Sequence, residues 1–144
     1  MAGVNCVFHT ATLHKPHIVT HSKQAFIDTN VSGTLCLLEA AVAAKTSAFV
    51  FTSTTSVFGD ALRPPRGEPA AWITETVVPQ PKNIYGLTKI AAENLCQIMS
   101  RQSKLKTIAL RTSRFFPEED DDRAKRQLYS DQNIKTLEYL LSAS

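Results

Sequence analysis

Tyr85 and Lys89 stand four residues apart in Tyr85-Gly-Leu-Thr-Lys89, the spacing that sets two side chains on one face of a helix. An ammonium beside a phenol favours the phenolate. A free tyrosine titrates near ~10, so proton transfer near neutrality asks for a pKa lowered to roughly 7, or ~4 kcal/mol of differential stabilisation. A tyrosine tuned in this way exchanges a proton with a substrate oxygen. In a chain with three tyrosines such a pair arises by chance about one time in five, so its setting has to decide. The setting is a hydroxyl cluster, Thr52-Ser-Thr-Thr-Ser56, that closes an apolar run. Hydroxyls at the carboxyl end of a strand lie where donors face a substrate, although such a cluster can equally form a turn that satisfies its own backbone.

The elements that must position these residues follow from periodicity. Val4 to His9 and Ala48 to Ser53 are short apolar runs with the β-branched and aromatic content of buried strands. Between them, Phe26, Ile27, Val31, Leu35, Leu38, Ala41 and Val42 recur at threes and fours, which predicts a long helix over residues 20–44. Gly59-Asp60 marks a turn, and the proline-rich stretch 60–83 predicts a surface excursion. Helical spacing returns over residues 85–101 through Leu87, Ile90, Ala91, Leu95, Ile98 and Met99, and Lys106 to Arg111 is a third strand. The order β-α-β-α-β predicts a parallel sheet with helices on both faces, and a ligand beyond the carboxyl ends of the strands, where Ser53 and Thr112 fall. Asp131 to Leu141 carries Ile134, Leu137, Leu140 and Leu141 on one side and reads as a final helix.

Composition excludes several classes. The net charge of +3 is spread along 144 residues, without the basic stripe that nucleic acid requires. Cys6, Cys36 and Cys96 are an odd number and widely spaced, and read as reduced core residues of a cytoplasmic protein. No basic leader and no run near ~20 apolar residues is evident, so no membrane partner is expected. Glu118-Glu-Asp-Asp-Asp122 reads as a solvated loop, because adjacent carboxylates cannot all converge on one ion. His9, His14, His17 and His21 lack a zinc-site pattern, and no metal is expected.

The segments together resemble the extended short-chain dehydrogenase/reductase family of the NAD-dependent epimerase/dehydratase type. Val50-Phe-Thr-Ser-Thr-Thr-Ser-Val-Phe-Gly59 is similar to the family's strand-and-hydroxyl signature, and Tyr85-Gly-x-x-Lys89 follows at the usual distance. Ile73-Thr-Glu75 and Pro79-x-Pro81 lie between them. Val7-Phe-His-Thr-Ala11, Asn30-Val-x-Gly33-Thr34 and Leu110-Arg111 resemble flanking motifs in the family's order. The resemblance implies a partial Rossmann-like, doubly wound α/β sheet, β-α-β-α-β plus a C-terminal helix, truncated at both ends relative to the family's fold. Residues 1–117 would be the central part of an NAD(P)-binding domain, and 118–144 an acidic loop and the start of a substrate lobe. It also implies Tyr85 as catalytic acid/base, Lys89 as the cation that tunes it and bonds the nicotinamide ribose, and Thr54 as the donor to the reacting oxygen. Thr10, Ala11, Asn30, Ser53 and Thr112, with Tyr85 and Lys89, would line NAD or NADP, with binding weakened or lost in this chain. His14 falls where some members carry a basic residue near the pyrophosphate.

Two features depart from the family pattern. The five glycines form no G-x-x-G-x-x-G or G-x-G-x-x-G loop, the element that lets backbone amides approach a pyrophosphate. Arg114 stands where the family commonly has an asparagine, which leaves the substrate unnamed beyond a small molecule with a hydroxyl or carbonyl. Two readings remain open. One is an oxidoreductase, epimerase or dehydratase whose isolated chain is inactive or impaired. The other is a non-catalytic dimerisation or binding module, pairing as a homodimer through the helices near 20–44 and 85–101.

Overall fold

The computed structural model describes residues 3–69 and 71–112. The carboxylate run, the helix expected over 131–141, Arg114 and the boundary at 117 lie outside the described residues. Three strands, β1 (Cys6–His9), β2 (Ala48–Thr54) and β3 (Lys106–Thr112), form a parallel sheet in the order β1-β2-β3. Parallel pairing brings the carboxyl ends of all three to one edge. Phe8 pairs with Val50 and Val50 with Ile108, while Ser53 pairs with Arg111.

A helical run of 21 residues, Lys23–Ala43, links β1 to β2. It consists of α1 (Lys23–Phe26), a π-helical turn (Ile27–Ser32) and α2 (Gly33–Ala43). The Ser22 hydroxyl caps it by accepting from the Ala25 amide at 3.1 Å, which satisfies one of the orphan donors of a helix start. Contrary to the sequence expectation, this run is by length and composition apolar enough to cross a membrane. Within the run Phe26, Leu38 and Ala41 are buried, and Asn30 and Thr34 are buried and hydrogen-bonded within the chain. α3 (Ile84–Gln102) links β2 to β3 and starts at Asn83, whose side-chain oxygen accepts from the Gly86 amide at 3.0 Å.

Alternation along β2 decides where the core lies. Phe49 and Phe51 are buried against Leu38 and Ala41 of α2, Ala92 and Cys96 of α3, and Leu105. Val50 and Thr52 point to the opposite face, where Phe8 is 74% exposed and Ile108 56% exposed. Helices therefore cover one face of the sheet among the described residues, not the two faces expected. The same asymmetry corrects two smaller expectations. β1 is an edge strand buried only at His9, and Cys6 and Cys36 are exposed whereas Cys96 alone of the three is buried.

The excursion after β2 is pinned rather than free. Gly59 adopts a positive φ of 53° and pairs with Gln80. The Asp60 amide donates to the Gln80 carbonyl at 2.9 Å, and the Gln80 amide to the Phe58 carbonyl at 3.2 Å. A Cβ at Gly59 would lie 1.9 Å from the Gln80 oxygen, so only glycine fits there.

Candidate active site

The hydroxyl cluster and the start of α3 meet at the carboxyl end of β2. Ser56 and Gly86 touch so closely that a Cβ on Gly86 would come within 2.7 Å of the Ser56 carbonyl. This contact seats the first turn of α3 on the short 3-10 turn Thr55–Val57. Tyr85, half-buried, is the second residue of α3, and Lys89 follows one turn later.

Lys89 is 1% exposed, an unusual state for an ammonium. Its Nζ donates to the Thr52 carbonyl at 2.5 Å and lies 4.0 Å from the centre of the Phe51 ring. Burial pushes its pKa down to about 8, while the neighbouring Glu93 works in the opposite direction. Burial of this kind is costly and marks groups with a task. Thr54, also buried, accepts from the Ser56 amide at 3.1 Å. A hydroxyl keeps its own proton to donate when it accepts in this way.

Ser53 points to the covered face and donates to the Glu93 carboxylate. Arg111 on β3 grips the same carboxylate from two nitrogens, with Nη2 2.8 Å from Oε2 and Nε 3.2 Å from both oxygens. Thr112 donates to the Ser53 carbonyl at 3.1 Å, tying β3 to β2 at the edge of the site. Thr10 and Ala11 are exposed on the loop that leaves β1, free to face a ligand beyond the strand ends.

Asn30 is hydrogen-bonded within the chain. Its Oδ1 accepts from the Leu13 amide at 2.7 Å and the Thr12 hydroxyl at 3.0 Å. Its Nδ2 donates to the Leu13 carbonyl at 2.8 Å and to Thr88 Oγ1 at 3.0 Å. All its bonding capacity goes to clamping the loop after β1 against α3, so it shapes the rim of the site from behind. The π-helical turn is what carries it inward, in keeping with the use of such turns at functional positions.

His14 is exposed and packs on His17 with ring centres 4.4 Å apart, and His17 lies 5.3 Å from His21. No group of metal-ligating side chains occurs among the described residues. The sequence reading missed Glu93 and Thr88. Thr88 lies three residues beyond Tyr85 and Glu93 four beyond Lys89, so those spacings were the available signal. Apolar periodicity hid them, because it selects Leu87 and Ile98, which are 54% and 45% exposed.

Residues 1–136 match the model of the NAD dependent epimerase/dehydratase family. A decarboxylating sterol-4-alpha-carboxylate 3-dehydrogenase from Gibberella zeae is 33% identical over 117 residues, covering 75% of this chain and 38% of its own length. A UDP-glucose 4-epimerase from Rhizobium leguminosarum bv. trifolii is 34% identical over 105 residues, covering 73% of this chain and 30% of its own. Among solved structures, UDP-glucuronic acid 4-epimerase from Bacillus cereus, in complex with NAD, superposes with a TM-score of 0.63 at 27% identity, over 77% of this chain and 33% of that one. RMD from Pseudomonas aeruginosa, complexed with NADPH, gives 0.65 at 28% identity, over 76% and 35%. The chain thus spans 22% to 38% of the length of the curated relatives it matches. By the match over residues 1–136 and the parallel Rossmann-like sheet, this chain belongs to the NAD dependent epimerase/dehydratase family.

Proposed function

We propose that Thr54, Tyr85 and Lys89 form the proton-transfer set of an NAD(P)-dependent epimerase, dehydratase or dehydrogenase acting on a small molecule that carries a hydroxyl or carbonyl. The observation that carries this reading is the buried Lys89 ammonium one turn beyond Tyr85, an unusual placement for a charged side chain. NAD or NADP, when bound, supplies the acceptor or donor of hydride. The chain's residues fit one end of such a cofactor. Thr10 and Ala11 are exposed at the strand ends, Thr112 is half-buried there, and Tyr85 and Lys89 lie on the facing helix. Ser53 and Asn30 support this rim through Glu93, Leu13 and Thr88. The pyrophosphate cradle has no counterpart among the chain's five glycines, so the tight grip of a glycine-rich loop is not contributed by these residues.

In this reading the Thr54 hydroxyl orients the reacting oxygen of the substrate, and Tyr85 takes or returns the proton on that oxygen. Lys89, one turn further along α3, would place its positive charge beside the bound nicotinamide ribose. Tyr85→Phe removes the acid/base while keeping the ring. In the longest natural polypeptide that carries these residues, turnover should fall by about 10²–10⁴-fold, read by NADH or NADPH formation against a panel of secondary alcohols and nucleotide sugars. Turnover within tenfold of the parent protein would remove Tyr85 from the mechanism.

A second reading, a dimerisation module, draws on the outward face of α3. Leu87 and Ile98 there, and Ile27 on the π-helical turn, are exposed apolar side chains of the kind that helix pairing buries. Sedimentation at micromolar concentration tests it, and a monomer would count against it. Tyr85→Phe should leave self-association unchanged.

A further inference from the structure

We propose that the cleft at the amino ends of β2 and β3, lined by Lys45, Lys104 and Lys106, binds a phosphate group, free or carried by a small organic molecule. The cleft lies at the opposite end of β2 from Thr54, so the inference stands apart from the reading of Tyr85 and Lys89.

Topology assembles the cleft. α2 and α3 each end just before the strand they feed, so the stretches 42–47 and 103–106 meet at one edge of the sheet. The Lys106 amide donates to the Ser47 carbonyl at 3.2 Å, and Lys106 pairs with Ala48. The volume is about 670 Å³, within the roughly 300–1,000 Å³ of small-ligand sites. Val42 and Leu105 add an apolar lining beside the three lysines.

Two observations point to an anion in this cleft. The first is Thr46, which lines it and is only 4% exposed. Its Oγ1 is the one buried side-chain polar atom without a hydrogen-bond partner among the described residues. A buried hydroxyl left unpaired is unfavourable, and such an atom calls for a partner that the chain itself does not supply. The second is Lys45. Its amide donates to the Val42 carbonyl at 3.0 Å, and the Thr46 amide donates to the Ala41 carbonyl at 2.9 Å. This closure of α2 puts Lys45 at a φ of 56°, where glycine is the unstrained choice. A lysine kept there points to a task for its ammonium. Lys45, Lys104 and Lys106 are exposed, and none of them forms an ion pair among the described residues. Lysines near helix ends also offset the helix dipole. That role would account for Lys45 and Lys104, which follow α2 and α3, but not for Lys106, which opens β3, nor for the Thr46 hydroxyl. A phosphate dianion answers both, since its oxygens accept from ammonium and hydroxyl donors together.

Isothermal titration at low ionic strength reads the site in the longest natural polypeptide that carries these residues, with inorganic phosphate and phenyl phosphate as probes. Lys104→Ala and Lys106→Ala should each weaken binding about tenfold, whereas Lys23→Ala, at the start of α1, should leave it unchanged. Lys45→Gly relieves the left-handed backbone and Thr46→Val removes the unpaired hydroxyl. Both should therefore melt no lower than the parent protein while binding phosphate more weakly. Tighter binding of phenyl phosphate than of inorganic phosphate supports a phosphorylated organic ligand resting on Val42 and Leu105, and equal binding supports free phosphate. Absence of binding by either probe overturns the proposal. So does binding that all four cleft variants leave as in the parent, which would place the phosphate elsewhere. Lower melting temperatures in Lys104→Ala and Lys106→Ala with parental phosphate affinity would reduce these lysines to helix-end charges and also overturn it.

Discussion

Lys89→Met should exchange stability for pH independence. The substitution keeps an unbranched side chain of similar length over Phe51 and removes the buried charge. In the folded chain the Lys89 pKa is about 8 against an ordinary 10.5. Between those values the unfolded chain holds more protons than the folded one, so stability rises with pH through that window. The difference corresponds to about 3 kcal/mol, of which about 2.5 kcal/mol is gained between pH 7 and pH 10. At pH 7 the variant escapes that penalty but loses the bond to the Thr52 carbonyl, worth up to about 3 kcal/mol. Methionine should therefore leave the chain at least as stable as the parent near pH 7 and less stable near pH 10. Urea unfolding followed by far-ultraviolet circular dichroism measures the difference, since Trp72 is 85% exposed and is a poor fluorescent reporter. A stability difference between parent and variant that stays constant from pH 7 to pH 10 would refute the burial argument.

Two further substitutions test the frame around the site. Asn30→Ala should cost about 2–4 kcal/mol, because it leaves the Leu13 amide and carbonyl without their partners. Hydrogen exchange at the Leu13 amide should accelerate, and an unchanged rate would mean the clamp is not formed. Gly59→Ala should cost more than about 2 kcal/mol, because its Cβ collides with the Gln80 carbonyl at a positive φ. A urea midpoint equal to the parent's would contradict the pairing of Gly59 with Gln80.

The strands and helices were legible because their apolar runs and spacings are regular, and the expected ends fall within two residues of those observed for β2, α3 and β3. Which residues face inward was less legible. Along Lys23–Ala43 the buried positions are Phe26, Asn30, Thr34, Leu38 and Ala41. Spacings of four through the π-helical turn exceed the 3.6 of a regular helix, so Asn30 and Thr34 turn inward and Ile27 turns out. α3 shows a similar displacement: its buried face carries Thr88, Lys89 and Glu93 beside Ala92 and Cys96, whereas Leu87 and Ile98 of the expected apolar stripe are exposed. Apolar periodicity finds a core only when the core is apolar, and here the site occupies part of it. Tyr85 and Lys89 are proposed on motif spacing and Thr54 on the family resemblance, whereas the hydrogen bonds of Glu93 to Ser53 and Arg111 are visible only in the fold.

The nicotinamide end of the proposed site is tested most directly by a thermal melt of the longest natural polypeptide that carries these residues, with and without millimolar NAD(H) or NADP(H). A ligand that binds only the folded state stabilises it, so one of these cofactors should raise a cooperative transition, and Lys89→Met should make that transition less responsive. A transition indifferent to both cofactors would contradict the claim that these residues form the nicotinamide end of a cofactor site.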